Sequence, residues 1–239
     1  MYRFISILMI AFLTGMAAGC AAPAPRPGEA TTHGVSATQA YWWYARYRIT
    51  WPEDVEPDWR VDLLLADAVI KPVLHDHRQQ IKYWRFHRRA LRDGAGHQFS
   101  FIFYADKDTA SRVYAALTSD TLTGRLVDKY ILQKVVTDNL ENNHLSGVLD
   151  TSDKNWSETL QNAWPAYIMG VSDMWLQLIE QNTGDYAPDT EIDNLLQIYG
   201  TANDRITAIW QNEGRHAFLH HLNAIFGYAP ITINDPERF

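Results

Sequence analysis

Two β-type runs separated by an Asp-Gly turn constrain the fold of this chain more than any other feature. The runs extend from Lys82 to Leu91 and from His97 to Tyr104. Asp-Gly followed closely by a second glycine is a strong signal for a hairpin between two such runs. Side chains alternate between the faces of a strand, so three aromatic residues are expected to share one buried face of the second strand: Phe99, Phe101 and Phe103.

The preceding and following segments place this hairpin in an α+β unit. Tyr41 to Thr50 is a further β-type run, rich in aromatic and β-favouring residues. Apolar spacing predicts a helix from Trp59 to about Leu74, kinked or ended by Pro72, and helices over Thr109–Leu117 and Leu126–Leu140. The order strand, helix, strand, strand, helix is that of a ferredoxin-like unit. Its last strand is assigned to Gly147–Leu149.

The C-terminal half carries a helical pattern throughout. Apolar residues at helical spacing predict helices over Trp156–Ile179, Asp189–Asn212 and Arg215–Phe226. The predicted fold class is therefore α+β, with a short antiparallel sheet followed by a helical C-terminal half. Core packing is the expected role of the aromatic stripe on the first of these helices.

The N-terminus has the pattern of an export signal. Arg3 is followed by an apolar run from Phe4 to Leu13, which is too short for a comfortable bilayer span of about 20 residues. Ala17-Ala18-Gly19-Cys20 resembles the lipobox of bacterial lipoproteins. The resemblance implies cleavage after residue 19 and a covalent lipid on Cys20, which anchors the protein to a membrane. Ala21, rather than Asp, implies the outer membrane and a periplasmic domain if the host is Gram-negative.

This organisation gives three expected segments. Residues 1–19 are the signal, and 20–39 are the lipidated cysteine and a flexible Pro/Gly-rich tether. Residues 40–239 are one α+β domain, with a candidate internal boundary near residue 150. Cys20 is the single cysteine, so an internal disulfide framework and a cysteine-rich zinc site are excluded. The net charge of −7 argues against non-specific nucleic-acid binding, which requires a basic surface.

Two strands carry the residues that we single out as a binding face. Alternation places Tyr83, Arg85, His87 and Arg89 on one side of the second strand, and Tyr44, Arg46 and Arg48 on one side of the first. Arginine suits bidentate contacts to carboxylate and phosphate, and tyrosine adds stacking and hydrogen bonding. The alternative is a solvated sheet face, or one that acidic helices cover.

Two other clusters support an enzymatic alternative. Glu213, His216 and His220 have the spacing to share one helical face as a partial zinc site, although the Glu-containing protease motif is absent. Four carboxylates between Glu53 and Asp58, flanked by tryptophans, are of the type that hydrolyses glycosidic bonds, but they equally form a solvated acidic loop and a helix cap.

The hairpin from Tyr83 to Ala105 is similar to a strand–turn–strand segment of lantibiotic dehydratase elimination domains. Both have an aromatic and basic strand, an Asp-Gly turn and a histidine before an apolar strand. The likeness matches no catalytic signature and implies no function.

The leading interpretation is a non-enzymatic binding or accessory lipoprotein for an envelope protein or an anionic glycan or lipid. The alternatives are a cell-envelope hydrolase, metal-dependent or not, and a structural spacer without a ligand.

Overall fold

The computed structural model describes residues 39–141 and 147–230. The predicted signal, the lipidated Cys20 and the tether as far as residue 38 lie outside the described residues. Among the described residues, the strands are β1 (Tyr41–Ile49), β2 (Tyr83–Ala90), β3 (His97–Ala105) and β4 (Leu132–Thr137). They form one antiparallel sheet in the order β2-β3-β1-β4.

The chain between these strands contributes the first helices. They are α1 (Arg60–Leu64), α2 (Lys71–Asp76), α3 (Lys107–Thr118) and α4 (Thr121–Asp128). The strand and helix order, together with the sheet order, is the ferredoxin-like arrangement that the sequence predicts. Asp106 begins α3 as its N-cap, where its carboxylate accepts a hydrogen bond of 2.7 Å from the Thr109 N–H.

A helical C-terminal half follows. A 3₁₀ turn covers Val148–Thr151, and the helices are α5 (Glu158–Thr183), α6 (Ile192–Gly214) and α7 (His221–Ile225), with a π-helical turn over Arg215–His220. The predicted fold class, α+β with a helical C-terminal half, is confirmed. In the described part of the chain, no helix combines the length and the hydropathy that a membrane span requires.

The prediction of a helix over Leu126–Leu140 was wrong, because β4 occupies this segment. Tyr130 has a φ of 58°, which lies in the left-handed region and ends the helical path after α4. Val135, Val136 and Thr137 are β-branched and pair with β1 between Ala45 and Tyr47. The weak interpretation of Gly147–Leu149 as a strand was also wrong: Asp150 accepts a hydrogen bond of 2.7 Å from the Gly147 N–H and closes the 3₁₀ turn.

Pro72 does not end the predicted helix. A π-helical turn over Leu65–Ile70 connects α1 to α2, and the helical path continues beyond the proline to Asp76. Proline lacks an N–H and its ring crowds the carbonyl one turn earlier. A widened turn immediately before it relieves that conflict. Pro165 is likewise accommodated inside α5.

The core lies on one face of the sheet. Phe99, Phe101 and Phe103 are fully buried there, as the alternation predicts. On β1, Trp43, Ala45, Tyr47 and Ile49 are also buried and belong to the same cluster, together with apolar residues of the helices. The residues of β1 and β2 that we single out for binding therefore lie on the opposite face, which we call the open face.

The helical half meets the sheet at its edge. Strand β2 is an edge strand, so alternate backbone groups on its outer side lack a partner strand. Ser172 on α5 accepts a hydrogen bond of 3.1 Å from the Phe86 N–H of β2. Trp175, one turn further along α5, packs edge-on against the Phe86 ring at a centroid distance of 5.5 Å. Helix α5 thus covers the edge that would otherwise be exposed.

Candidate functional site

The structure brings the six predicted binding residues onto the open face. The register aligns β2, β3 and β1 in four rows across the sheet, which are Tyr83–Tyr104–Trp42, Arg85–Ile102–Tyr44, His87–Ser100–Arg46 and Arg89–Gln98–Arg48. Adjacent strands are about 4.8 Å apart, so each row joins its β1 and β2 residues across a single intervening strand. Lys134 of β4 extends the last row with another positive charge.

Carboxylates neutralise only part of this face. Arg46 pairs with Asp138 at 3.0 Å, and Arg89 pairs with Asp93 at 2.6 Å. The guanidinium of Arg48 instead donates to the Gly94 carbonyl at 2.9 Å. Both carboxylates lie in loops rather than in helices. In the described residues, the acidic side chains of the helices therefore form none of the ion pairs with these arginines.

Arg85 is the least compensated of the four arginines. Its guanidinium donates only to the Thr151 carbonyl, at 3.4 Å, and its Nε has no hydrogen-bond partner within the described residues. Burial lowers the pKa of this half-buried arginine, and Tyr44 partly offsets the effect. An anion bound at this point would gain a charge-assisted hydrogen bond without displacing a protein carboxylate.

His87 lies between two positive charges. Partial burial and the charges of Arg85 and Arg89 lower its pKa below the ordinary value, so the imidazole is neutral at pH 7. A bound anion would oppose these effects and favour the protonated ring. The open face therefore contains one group whose charge can respond to ligand and to pH.

The 3₁₀ turn packs over one end of the open face. The indole of Trp42 donates to the Val148 carbonyl at 3.1 Å. Asp138 anchors the neighbouring loop by accepting hydrogen bonds from the Tyr44 N–H and the Arg46 guanidinium, at 2.9 and 3.0 Å. Arg46 also stacks over the Tyr44 ring at 4.5 Å. These contacts hold the aromatic and basic side chains of β1 in fixed positions.

Beside the edge of β2, an apolar cavity of about 550 Å³ lies between α5 and α6. Its lining includes Trp164, Ile168 and Val171 of α5, together with Ile206 and Trp210 of α6. The aromatic stripe of α5 was expected to be core, and only part of it is: Trp175 contacts the core rings, whereas Tyr167 is 46% exposed and Val171 is 37% exposed. Sequence reasoning therefore missed this cavity.

A buried charge network connects the cavity to the core. Asp62 is fully buried, and its Oδ2 lies 3.3 Å from Arg88 and 3.2 Å from Nε2 of the equally buried His97. The Arg88 guanidinium also stacks between two indoles, those of Trp59 and Trp175, at 4.8 and 5.0 Å. No local spacing marked these residues as partners, since Asp62 and His97 are 35 positions apart.

A second, polar pocket of about 360 Å³ lies at the hairpin end of the sheet. Arg48, Glu53, Arg92 and His97 are among its lining residues. The acidic loop is thereby divided: Glu53 borders this pocket, while Asp58 pairs with Arg60 at 2.7 Å and also accepts from its backbone N–H. The expected capping role of Asp58 was wrong, because Trp59 is the N-cap of α1 and makes no side-chain capping bond.

The candidate zinc residues lie at the end of the helical half. Glu213 is in the last turn of α6, and His216 and His220 are in the π-helical turn that follows. The imidazole rings of His216 and His220 stack at 4.9 Å. Within residues 39–141 and 147–230, no group of three or more His, Cys, Asp or Glu side chains is arranged to hold a metal ion. Zinc binding by these residues stays a prediction.

Comparisons with known proteins identify no family for the chain. No family model matches it, and no curated protein matches it. Among solved structures, it is similar to a crystal structure of TsrL with a TM-score of 0.33 and 13% identity, over 80% of this chain and 50% of that chain. This chain thus spans about half the length of that protein. A TM-score at this level supports no argument about function.

Proposed function

We propose that the protein is a lipid-anchored envelope protein that binds an acidic partner or ligand without catalysing a reaction. The anchor is the lipid on Cys20, and the contact is the open face around Arg46, Arg48, Arg85 and Arg89. The observation that carries the proposal is the excess of arginine over carboxylate on this face. Two of the four arginines bond only backbone carbonyls, and Arg85 is half-buried.

The chemistry of the face favours carboxylate or phosphate groups. Guanidinium groups bind such anions through paired N–H donors, and the surrounding tyrosines supply rings and hydroxyls. The chain has a net charge of −7, so the positive face stands out from an acidic molecule and directs an anion to one place. Attraction of this kind is expected to weaken as salt concentration rises.

Crosslinking in intact cells tests the proposal. Full-length protein is crosslinked, recovered and compared with the double variant Arg85→Glu/Arg89→Glu. The matched control is Arg112→Glu/Arg205→Glu, which reverses two exposed arginines of α3 and α6 outside the face. We expect one identified acidic protein or glycan to be recovered with the wild type and the control, and to be lost with the face variant. Equal recovery with all three folded proteins would refute the proposal.

A hydrolase acting on the cell envelope is the second candidate function. The supporting observation is that Glu53 and His97 border the same polar pocket, and that His97 is held by the buried carboxylate of Asp62. A carboxylate and a histidine are the usual acid–base groups of hydrolysis. Release of soluble fragments from purified cell wall tests this candidate. If the candidate is right, the wild type releases soluble fragments and Glu53→Gln abolishes their release. The candidate is wrong if the wild type releases no fragments with or without added zinc.

A further inference from the structure

The cavity between α5 and α6 has the dimensions of a small-molecule site. Its volume of about 550 Å³ falls in the usual range for ligand pockets, roughly 300–1,000 Å³. Most of the wall is apolar, and its lining residues include Trp164, Trp175 and Trp210. Trp210, one of these lining residues, is 58% exposed. An apolar surface of this kind, left open to solvent beside a formed core, marks a binding region.

The ionisable side chains that line this cavity are all basic. Strand β2 contributes Arg85, His87 and Arg88 to the wall, and no Asp or Glu is among the described lining residues. Arg88 is already committed to Asp62 and to two indole rings. Arg85 is the guanidinium that lacks a carboxylate, and it stands where the apolar cavity meets the open face.

We infer that the cavity binds an amphipathic anion, a single hydrocarbon chain that ends in a phosphate or carboxylate. The head group bonds Arg85 beside His87, and the chain lies between α5 and α6 against Ile168, Val171 and Ile206. This inference rests on the proposed function, because Arg85 and His87 belong to the open face, and it names the class of ligand. A purely apolar partner would leave Arg85 desolvated and unpaired, which is costly.

The mouth of the cavity is compatible with an entering chain. Val171 is 37% exposed, and Thr207 on the facing helix is also exposed. Both residues line the cavity, so a larger side chain at either position fills it from the solvent side without removing core contacts. Leu160 also lies on α5 and is 47% exposed, but it does not line the cavity. It is therefore a matched control position.

Direct titration with alkyl phosphates tests the inference. The full chain carrying Cys20→Ser, which prevents lipidation, is titrated below the micelle concentration with alkyl phosphates of increasing length, followed by tryptophan fluorescence and calorimetry. Each buried CH₂ is expected to tighten the Kd about fourfold until the cavity is full, from about 0.8 kcal/mol per CH₂. The uncharged alcohol of equal length is expected to bind at least about tenfold more weakly, since charge-assisted hydrogen bonds contribute about 1.5–3 kcal/mol.

Variants separate the cavity from the open face. Val171→Trp and Thr207→Trp should each abolish binding of the alkyl phosphate, whereas Leu160→Trp should not change it. Inorganic polyphosphate has no chain and reports on the open face alone; its binding should survive Val171→Trp and weaken in Arg85→Gln. Thermal melting establishes that each variant is folded.

The outcomes distinguish the inference from the proposed function. The inference would be overturned if the affinity for alkyl phosphates did not depend on chain length, or if it were unchanged in both Val171→Trp and Thr207→Trp. Polyphosphate binding through the open face would be unaffected by either result. The proposed function would instead be overturned if Arg85→Gln bound polyphosphate as tightly as the wild type while the affinity for alkyl phosphates still rose with chain length. If light scattering shows a dimer that Val171→Trp dissociates and no alkyl phosphate binds, a second copy covers the cavity and the inference is wrong.

Discussion

Two fully buried tyrosines should respond in opposite ways to the same substitution. Tyr199 and Tyr47 are both 0% exposed, so Tyr→Phe removes only a hydroxyl from each position. The Tyr199 hydroxyl donates to the Asp67 carboxylate at 2.6 Å and lies 2.6 Å from the Tyr186 hydroxyl. The Tyr47 hydroxyl has no hydrogen-bond partner among the described residues. The comparison therefore separates hydrogen bonding from burial.

The network around Tyr199 sets the magnitude of the first effect. Asp67 is 6% exposed and is otherwise paired with Lys71 at 2.5 Å. Burial alone would lower the pKa of Lys71, but the bonds to Asp67 and Glu180 more than offset it and raise the pKa. Removing the Tyr199 hydroxyl leaves one oxygen of this buried carboxylate without its donor, and a hydrogen bond to a charged group contributes about 1.5–3 kcal/mol.

Tyr199→Phe should accordingly lower the free energy of unfolding by about 2 kcal/mol. For a domain of this size that corresponds to a fall in Tm of about 4–8 °C. Tyr47→Phe should leave stability unchanged or raise it by about 1 kcal/mol, because a buried hydroxyl without a partner is itself unfavourable. Tyr167→Phe is the control, since its side chain is 46% exposed and the substitution should change stability by less than about 0.5 kcal/mol.

Urea denaturation and thermal melting at neutral pH measure all three variants. Equal m-values are required, so that a shift in midpoint reports stability rather than a change in the unfolded state. The reasoning would be refuted if Tyr199→Phe and Tyr47→Phe shifted stability in the same direction by the same amount. That result would show that burial of the hydroxyl, rather than its hydrogen bonds, determines the effect at both positions.

The same pair gives a pH dependence. Burial raises the pKa of Tyr47, and burial together with Asp67 raises the pKa of Tyr199. Each group is neutral in both states below pH 10; above it, the unfolded chain ionises while the folded chain does not. Stability is therefore fully present below pH 10 and falls above it, by about 1.4 kcal/mol per pH unit for each tyrosine. Either Phe variant should reduce the slope by that amount.

Four further perturbations test local features of the structure. Ser172→Ala removes the acceptor for the Phe86 N–H and should cost about 1 kcal/mol; hydrogen exchange should show faster exchange of that amide. Asp106→Ala removes the N-cap of α3 and should cost about 1 kcal/mol in urea denaturation. Phe101→Ala opens a cavity at a fully buried position and should cost about 3–5 kcal/mol. Partial burial and two neighbouring arginines lower the pKa of His87; binding of an alkyl sulfonate, whose charge is fixed, should therefore tighten as the pH falls and His87 becomes protonated, and His87→Gln should remove this dependence.

Local alternation was sufficient to predict three of the strands and both of their faces. Strands β1, β2 and β3 differ from the predicted runs by a residue or two at their ends. The Asp-Gly turn forms as expected: Asp93 accepts hydrogen bonds from the N–H groups of Ala95 and Gly96, at 2.9 and 3.1 Å. The alternation of arginine with buried residues on β1 and β2 also placed the candidate binding face correctly relative to the core.

Strand β4 depends on a partner that is remote in the sequence. Its segment, Leu132–Thr137, includes Gln133 and Lys134, and its few apolar residues are compatible with either period. Pairing with β1, nearly ninety positions earlier, selects the extended form. The local signals that favoured it were the β-branched run from Val135 to Thr137 and the preceding Tyr130, neither of which is decisive alone.

The cavity could not be predicted from the sequence, because it depends on how α5 and α6 pack against each other. An aromatic stripe has the same sequence pattern whether a neighbouring helix packs on it or stands off from it. In α5 the stripe is split: Trp175 packs against the core as well as lining the cavity, whereas Trp164 lines the cavity only. The pairing of Asp62 with His97 and Arg88 likewise arises only when α1, β2 and β3 are brought together.

The position of β2 at the edge explains why the cavity combines apolar walls with positive charge. In a central strand such as β3, side chains on opposite faces are separated by the sheet and cannot reach one cavity. At an edge, a helix that covers the strand meets side chains from both faces. Helix α5 therefore encounters Arg88 from the core face and Arg85 from the open face. The requirement to cover an exposed edge and the recognition of an anionic amphiphile are met by the same contact between α5 and β2.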